Sequence, residues 1–216
     1  MLDTQAITLS LQLAFWTLVL LIPLGIWIAY QLADAGPWKS WAEAALALPL
    51  VLPPTVLGYY FIVAFAGKSL FGEPLVFSFT GLLLASFVVN LPFAIQPIQR
   101  AFEAIPPEIR EAAKVSGLNA WQRFRLIELP LAWRGILSGA AMTFAHTLGE
   151  FGVVLMVGGA IPGETKTASI AIYDKVQTFD TAGAGSLSLV LLIISLIAIA
   201  ISYGVLGKPK TGSNRA

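Results

Sequence analysis

The stretch RAFEAIPPEIREAAKVSGLNAWQRFRLIELPLAWR, residues 100–134, is a polar segment between hydrophobic runs that are long enough to cross a bilayer. We call it the polar island. It carries six of the thirteen Lys and Arg residues of the chain, together with four Glu. So many charges between two apolar runs predict a loop that leaves the membrane and meets water.

Proline, glycine and asparagine divide the polar island into two short predicted helices. Pro106 and Pro107 predict the start of the first helix, because proline suits an initial helical turn, and Gly117 predicts its end. Asn119 predicts the cap of a second helix, which we expect to stop at Pro130. An amphipathic helix pair that projects from a membrane protein is a surface that a soluble partner can bind.

The composition excludes a soluble globular domain. Hydrophobic residues make up 57% of the chain and charged residues 12%, and the mean hydropathy is +0.80. The absence of cysteine excludes disulfides and thiolate metal sites. The first basic residue is Lys39, so the basic start of a signal peptide is missing and we expect the first apolar run to be retained.

Five hydrophobic runs predict an all-α integral membrane protein with five transmembrane helices. The predicted spans are residues 9–30, 44–66, 80–99, 135–157 and 187–206. Together with the loop 100–134 they form one transmembrane domain, residues 1–210, and a tail follows at 211–216. Several prolines fall inside or near the ends of the second and third spans: Pro49, Pro53, Pro54, Pro92 and Pro97. They indicate either a wet cavity that satisfies the freed carbonyls or static kinks that aid packing.

The distribution of basic residues predicts the orientation. One face would carry Lys39, the six basic residues of the polar island and three in the tail, namely Lys208, Lys210 and Arg215. The other face would carry only Lys68, Lys166 and Lys175. The positive-inside rule therefore predicts an external N-terminus, a cytoplasmic C-terminus and a cytoplasmic polar island between the third and fourth helices.

One pattern in the polar island has seven fixed positions: Glu111-Ala112-Ala113, Gly117, Ile127 and Leu129-Pro130. It resembles the EAA loop of ABC importer membrane subunits, in which this loop is the coupling helix that docks in a groove of the cytoplasmic ATPase. The alternative is an ordinary interfacial amphipathic helix. The resemblance implies these ATPase-coupling residues: Glu108, Glu111, Ala112, Ala113, Gly117, Leu118, Leu129 and Pro130.

Two further regions extend the resemblance. They are LPLVLPPTVLGYY (48–60) and the segment 146–174, with its blocks LGEFG, IPGET and SIAIY. Together they resemble the permease of molybdate ABC importers. Sulfate and thiosulfate permeases share a similar Leu-Gly-Glu block and form the alternative. Molybdate permeases commonly have Arg where this chain has His146, which implies weaker or pH-sensitive transport if that Arg offsets the glutamate or contacts the oxyanion.

Polar side chains inside the predicted spans are candidates for a translocation path or gate. Glu150 is the only formally charged residue inside any predicted span, and a carboxylate in hydrocarbon is costly unless it is paired. His146, the only histidine, lies one turn away on the same helical face. The candidates are Ser86, Asn90, Thr143, His146, Thr147 and Glu150. The structural alternative is a His–Glu pair, or a Glu bound to backbone donors, that fixes the fourth span to a neighbour.

Enzyme interpretations find little support in the sequence. One histidine and no cysteine provide no ligand cluster for a catalytic metal, and we expect no cofactor. Gly67-Lys68-Ser69 is similar to the end of a phosphate-binding loop, but Ile62 occupies the position of the required first glycine. We therefore expect the energy for any transport to come from a partner.

The resemblance also implies the partners and the location. These are a second copy of the chain, two cytoplasmic ABC ATPase subunits and an external oxyanion-binding protein, in a bacterial inner membrane. The expected solute is molybdate or tungstate, which are tetrahedral dianions of nearly equal size, and no nucleic acid is involved. A competing class is a stand-alone proton-coupled transporter that uses Glu150 and His146 as a relay. A membrane scaffold would leave the polar residues of the fourth span unexplained.

Overall fold

The computed structural model describes residues 3–70 and 72–206. Its helices are α1 (Thr4–Ala33), α2 (Lys39–Val51), α3 (Pro54–Phe65), α4 (Phe79–Glu103), α5 (Pro107–Val115), α6 (Ala120–Arg123), α7 (Leu129–Gly149), α8 (Gly152–Gly158), α9 (Ala168–Gln177) and α10 (Thr181–Leu206). A π-helical turn, Phe124–Glu128, joins α6 to α7. Strands β1 (Ser69–Leu70) and β2 (Glu73–Pro74) form a short antiparallel hairpin. The predicted tail 211–216 and the basic residues Lys208, Lys210 and Arg215 lie outside the described residues.

Three helices within the described residues are long and apolar enough to cross a membrane: α1, α4 and α10 over Thr181–Ile201. Two further pairs reach that length only together. They are α2 with α3, bent by 103°, and the segment Ala120–Gly149 with α8, bent by 59°. This part of the chain therefore holds three candidate spans, or up to five if each bent pair crosses once. The predicted number of five requires both bent pairs to cross as single units.

The bend between α2 and α3 follows from two consecutive prolines. Leu52, which precedes Pro53, has an extended backbone with ψ of 137°, and Pro53, which precedes Pro54, has ψ of 138°. A residue before proline is driven out of the helical region by the proline ring, so α2 ends there. Pro54 then begins α3, where its missing N–H costs nothing. The second predicted span is therefore a broken helix.

The second helix predicted in the polar island does not stop at Pro130. Asn119 caps α6 as predicted: its Oδ1 accepts from the N–H of Gln122 (2.9 Å), whose Oε1 accepts from the N–H of Asn119 (3.0 Å). In the π-helical turn that follows, the N–H of Leu129 donates to the carbonyl of Phe124, five residues back. This wide turn places Pro130 in the first turn of α7, where proline is tolerated. The predicted stop was therefore wrong, because Pro130 helps to begin a helix.

α4 is the centre of the bundle, with α1 and α7 packed along it. α1 runs parallel to α4, since Leu13 packs in a cluster with Leu82 and Leu32 in another with Phe102. α7 approaches α4 closely at Gly135 and Gly139, where small residues allow contact between backbones. Their four-residue spacing places both glycines on the face of α7 that meets α4.

The two ends of the bundle hold different parts of the chain. At one end, Ala6 of α1 packs with Ala171 and Leu187, and the N–H of Phe77 donates to the carbonyl of Val157. At the other end, which we call the island end, α5 and α6 lie beside the last residues of α1 and α4. The first described residues and the polar island thus lie at opposite ends. Which end faces the cytoplasm remains a prediction from the charge distribution.

Candidate functional site

α5 has the predicted limits, and its end is set by backbone geometry. Pro107 occupies the first helical turn. At the other end Gly117 has φ of +79°, and its N–H donates to the carbonyl of Lys114 (3.0 Å). The N–H of Leu118 donates to the carbonyl of Ala113 (3.2 Å). These two bonds satisfy carbonyls at the end of the helix, and they require a residue that tolerates positive φ.

The two alanines of the coupling pattern have different surroundings. Ala113 is the one buried residue of α5, with 4% of its surface exposed, so it seats the helix on the rest of the protein. Ala112, Glu108 and Glu111 are exposed. Val115 is 90% exposed, which leaves an apolar side chain at the tip of α5 with nothing over it in a single chain. α5 thus has one face on its own protein and one face available to a partner.

The remaining coupling residues lie elsewhere at the island end. Leu118 is half-buried in the link between α5 and α6. Leu129 belongs to α7 and packs against the apolar cluster that contains Phe102, whereas Pro130 is exposed. The coupling pattern is therefore spread over α5, the following link and the start of α7, and its members differ in exposure.

A chain of hydrogen bonds connects the candidate path residues of α4 to α1. The hydroxyl of Thr17 donates to Oγ of Ser86 (3.1 Å), and Nδ2 of Asn90 donates to the carbonyl of Ser86 (2.8 Å). All three residues are buried, with at most 1% of their surface exposed. Sequence reasoning missed Thr17. The signal that identifies it is a polar residue seven positions after Ser10 in an apolar helix.

The same chain continues to α7 through His146. Because Nδ2 of Asn90 is used by Ser86, its Oδ1 faces Nδ1 of His146 at 3.1 Å, and that ring nitrogen must carry the proton. Nε2 of His146 lies 3.6 Å from Oε2 of Glu150. A favourable contact between these two atoms requires a proton on one of them. The ring also stacks on Phe93, with centroids 4.0 Å apart.

Glu150 lies at a break in the helix, whereas the sequence places it within the fourth span. α7 ends at Gly149, and Glu150 has an extended backbone with ψ of 128°. Its Oε1 accepts from the N–H of Val153 (3.2 Å), and its carbonyl accepts from the hydroxyl of Ser169 (2.6 Å). The carboxylate is thus held by a backbone donor of α8 and a histidine of α7. Both contacts of the carboxylate lie within the predicted fourth span, and the link to the neighbouring α4 runs through His146 to Asn90.

The two threonines are buried in the protein interior. The hydroxyl of Thr147 donates to the carbonyl of Thr143 (2.8 Å), and the hydroxyl of Thr143 has no hydrogen-bond partner among the described residues. Of the six candidate path residues only His146 is half-buried, and the other five are buried. In a single chain, therefore, the structure brings Ser86, Asn90, His146 and Glu150 together in the protein interior. A role in translocation stays a prediction.

Four charged residues at the end opposite the polar island form two ion pairs. Lys166 lies 2.6 Å from Asp174, and Lys175 lies 2.9 Å from Asp180. Asp180 also accepts from the N–H of Gly183 (2.9 Å) at the start of α10. The ammonium of Lys175 and this backbone donor lower the pKa of Asp180 below its ordinary value, so the carboxylate that caps α10 stays ionised.

Replacing Asn90 with leucine is expected to lower the free energy of unfolding by about 1–3 kcal/mol, because Ser86 and His146 each lose a buried partner. The measurement is the midpoint of thermal unfolding in detergent. Ser188→Ala is the control, since Ser188 is exposed on α10. Equal midpoints for the two variants would show that the hydrogen-bonded chain contributes nothing to stability.

Comparisons with known proteins agree on one kind of membrane protein. Residues 21–208 match the family described as binding-protein-dependent transport system inner membrane component. The chain is 41% identical to the molybdenum transport system permease protein ModB of Azotobacter vinelandii, over 93% of each chain. It is 35% identical to ModB of Escherichia coli K12, over 93% of this chain and 92% of that one. Identity to the sulfate transport system permease protein CysT of E. coli K12 is 30%, over 76% of this chain and 61% of that one.

Solved structures show the same fold at low sequence identity. A bacterial alginate ABC transporter, in complex with a periplasmic protein that carries an alginate pentasaccharide, superimposes with a TM-score of 0.73 at 17% identity. The match covers 93% of this chain and 77% of that one. The MetNI methionine ABC transporter gives a TM-score of 0.71 at 16% identity, over 95% and 93% of the two chains.

Proposed function

The chain belongs to the family of binding-protein-dependent transport system inner membrane components, and we propose that it is the membrane-spanning permease subunit of an ATP-driven molybdate importer. In this proposal the chain hydrolyses no nucleotide, and separate ATPase subunits supply the energy. The relatives, with identities of 35–41% over nearly the whole chain, are molybdenum transport permeases. The sulfate permease is less similar and matches less of the chain, so molybdate is favoured over sulfate.

The observation that carries the proposal is the surface of α5. This helix lies between the candidate spans α4 and α7, at the end of the bundle opposite the start of α1. It presents Val115 and two glutamates to its surroundings, while Ala113 packs against the protein. A short helix that packs on its own protein with one face, and exposes an apolar side chain at its tip, is suited to docking in a groove of a soluble subunit. That subunit is the proposed cytoplasmic ATPase.

The proposed assembly contains two copies of this chain, two ATPase subunits and an external oxyanion-binding protein. ATP brings the ATPase subunits together, which moves the two α5 helices and opens the path to the outside. The binding protein then releases the oxyanion, and hydrolysis restores the inward-open state. No Lys or Arg lies inside the five predicted spans, and this suits a dianion that must leave its binding positions as readily as it enters them.

The test is uptake of labelled molybdate by proteoliposomes. The vesicles contain this chain together with its ATPase, and the external binding protein is added to them. They are expected to accumulate molybdate only when ATP is present on the side of the membrane that the ATPase faces. Vesicles with an ATPase variant unable to hydrolyse ATP are the control. Competition by unlabelled molybdate, tungstate and sulfate then ranks the solutes. Sulfate that competes better than molybdate would assign the chain to sulfate transport.

A second candidate is a stand-alone proton-coupled transporter, because His146 and Glu150, two titratable residues of the predicted fourth span, lie 3.6 Å apart. It predicts uptake by vesicles that hold this chain alone, driven by a proton gradient and independent of ATP. Such uptake would contradict the proposed importer.

A further inference from the structure

Arg110, on the side of α5 that faces the protein, contacts three different parts of the chain. Its Nε lies 3.1 Å from Oε1 of Glu128 in the π-helical turn, and its Nη2 donates to the carbonyl of Phe102 in α4 (2.9 Å). Its Nη1 donates to a carboxylate oxygen of Asp34, the residue that ends α1. Only 17% of the side chain is exposed. Every nitrogen of one guanidinium thus contacts a different element.

Glu128 is the buried centre of this cluster. None of its surface is exposed, and a second guanidinium, Nε of Arg123, lies 3.5 Å from the same Oε1. The two guanidiniums act on Glu128 by charge, because neither places an N–H in hydrogen-bonding geometry, whereas the hydroxyl of Tyr30 in α1 lies within hydrogen-bonding reach of both Glu128 and Arg123. The two carboxylates, Asp34 and Glu128, neutralise the charge of the two guanidiniums, Arg110 and Arg123. The cluster therefore has no net positive charge with which to bind a further anion. Removing one member of such a buried group leaves an uncompensated charge.

α5 has few other attachments to the bundle. Ala113 is its one buried residue, and short links, residues 104–106 and 116–119, join it to α4 and α6. A nine-residue helix on two short links and one buried methyl group is free to tilt unless a further contact fixes it. The contacts of Arg110 reach the ends of α1 and α4 and the start of α7, which are the parts that a moving α5 has to carry.

We propose that Arg110 is a positioning residue that makes α5 move as one body with the island ends of α1, α4 and α7. The inference rests on the proposed function, in which an ATPase displaces α5. The planar guanidinium is essential to this role, because lysine keeps the charge but cannot reach three acceptors in a fixed fork. Arg110 therefore transmits the movement of α5 to α1, α4 and α7. Loss of its contacts uncouples ATP hydrolysis from transport.

The experiment compares Arg110→Lys with the unchanged protein in the complete transporter. Molybdate uptake and ATP hydrolysis are measured in the same vesicles, and the readout is molybdate moved per ATP hydrolysed. We expect this ratio to fall by about tenfold, because the buried carboxylate loses its fork-shaped partner. A merely structural defect would lower both activities together and leave the ratio unchanged. Arg125→Lys is the matched control, since Arg125 is exposed in the π-helical turn and is expected to keep the ratio.

A second measurement tests the attachment without transport. The chain has no cysteine, so spin labels at Val115→Cys and Gln31→Cys, both exposed, would report the distance from α5 to α1 in the purified protein. We expect one narrow distance distribution with Arg110 or with Arg125→Lys, and a broad one with Arg110→Lys. If Arg110→Lys does not fold, Asp34→Ala removes only the partly exposed contact and is expected to broaden the distribution less.

The outcomes separate the two proposals. An unchanged ratio together with an unchanged distance distribution would overturn the role of Arg110. Failure of the unchanged protein to import molybdate with ATP would contradict the proposed function instead, and the label distances would still decide whether Arg110 fixes α5.

Discussion

Replacing Gly135 with valine is expected to prevent α7 from packing on α4 and to leave little folded protein in the membrane. A Cβ atom at this position would lie 2.3 Å from Cβ of Ala101 and 2.6 Å from the carbonyl oxygen of Pro97. The second contact is with backbone, which no side-chain rotation relieves. Overpacking a tight site costs about 1–3 kcal/mol or more, and here it acts at the most extensive helix contact in the bundle.

The measurement is the yield of monodisperse protein after extraction in detergent, together with the midpoint of thermal unfolding. Gly149→Ala is the matched control, because Gly149 lies on the same helix and a Cβ there meets nothing within 4 Å. A folded Gly135→Val variant with the midpoint of the control would show that α4 and α7 do not approach each other as described.

Replacing Gly117 with valine is expected to abolish most transport while the protein still inserts and folds. A Cβ at this position meets nothing within 4 Å, so steric space is available. The obstacle is φ of +79°, which a β-branched residue rarely adopts. The bonds of Gly117 and Leu118 to the end of α5 would break, and the direction of the chain from α5 to α6 would change. We expect uptake to fall by roughly tenfold or more, the loss typical of displaced positioning elements.

Gly117→Asn is the control, because asparagine tolerates the left-handed conformation better than any β-branched residue. Uptake, co-purification of the ATPase and the amount of chain in the membrane fraction are compared for both variants. Unchanged transport by Gly117→Val would weigh strongly against a role of α5 in coupling. Loss of the protein from the membrane would instead assign Gly117 to folding.

The predicted coupling residues and the predicted path residues differ in solvent exposure. Most of the coupling residues on α5 are exposed, as a docking surface requires, whereas five of the six candidate path residues are buried within a single chain. The contacts that link Asn90, His146 and Glu150 connect α4, α7 and α8: hydrogen bonds at Asn90 and Val153, and an approach of 3.6 Å between His146 and Glu150. In this structure His146 is part of that connection. His146 therefore contributes to the packing of the bundle whatever it does in transport.

The sequence alone determined the features that depend on a few neighbouring residues or on composition. Hydrophobic runs showed a membrane protein, since their length is set by the bilayer. Pro107, Gly117 and Asn119 fixed the limits of α5 and the start of α6, because each restricts its own backbone or caps an adjacent turn. The seven-position pattern, with its fixed spacing, identified the family.

The tertiary structure determined the features that depend on contacts between residues far apart in the sequence. Pro130 lies in the first turn of α7 because a π-helical turn precedes that helix, and Glu150 leaves the helix where a backbone donor of α8 and a nearby histidine contact its carboxylate. Arg110 finds one of its partners 76 positions away, at Asp34. Such pairings follow from the way the helices pack, and helix packing combines many weak contacts that no local pattern encodes.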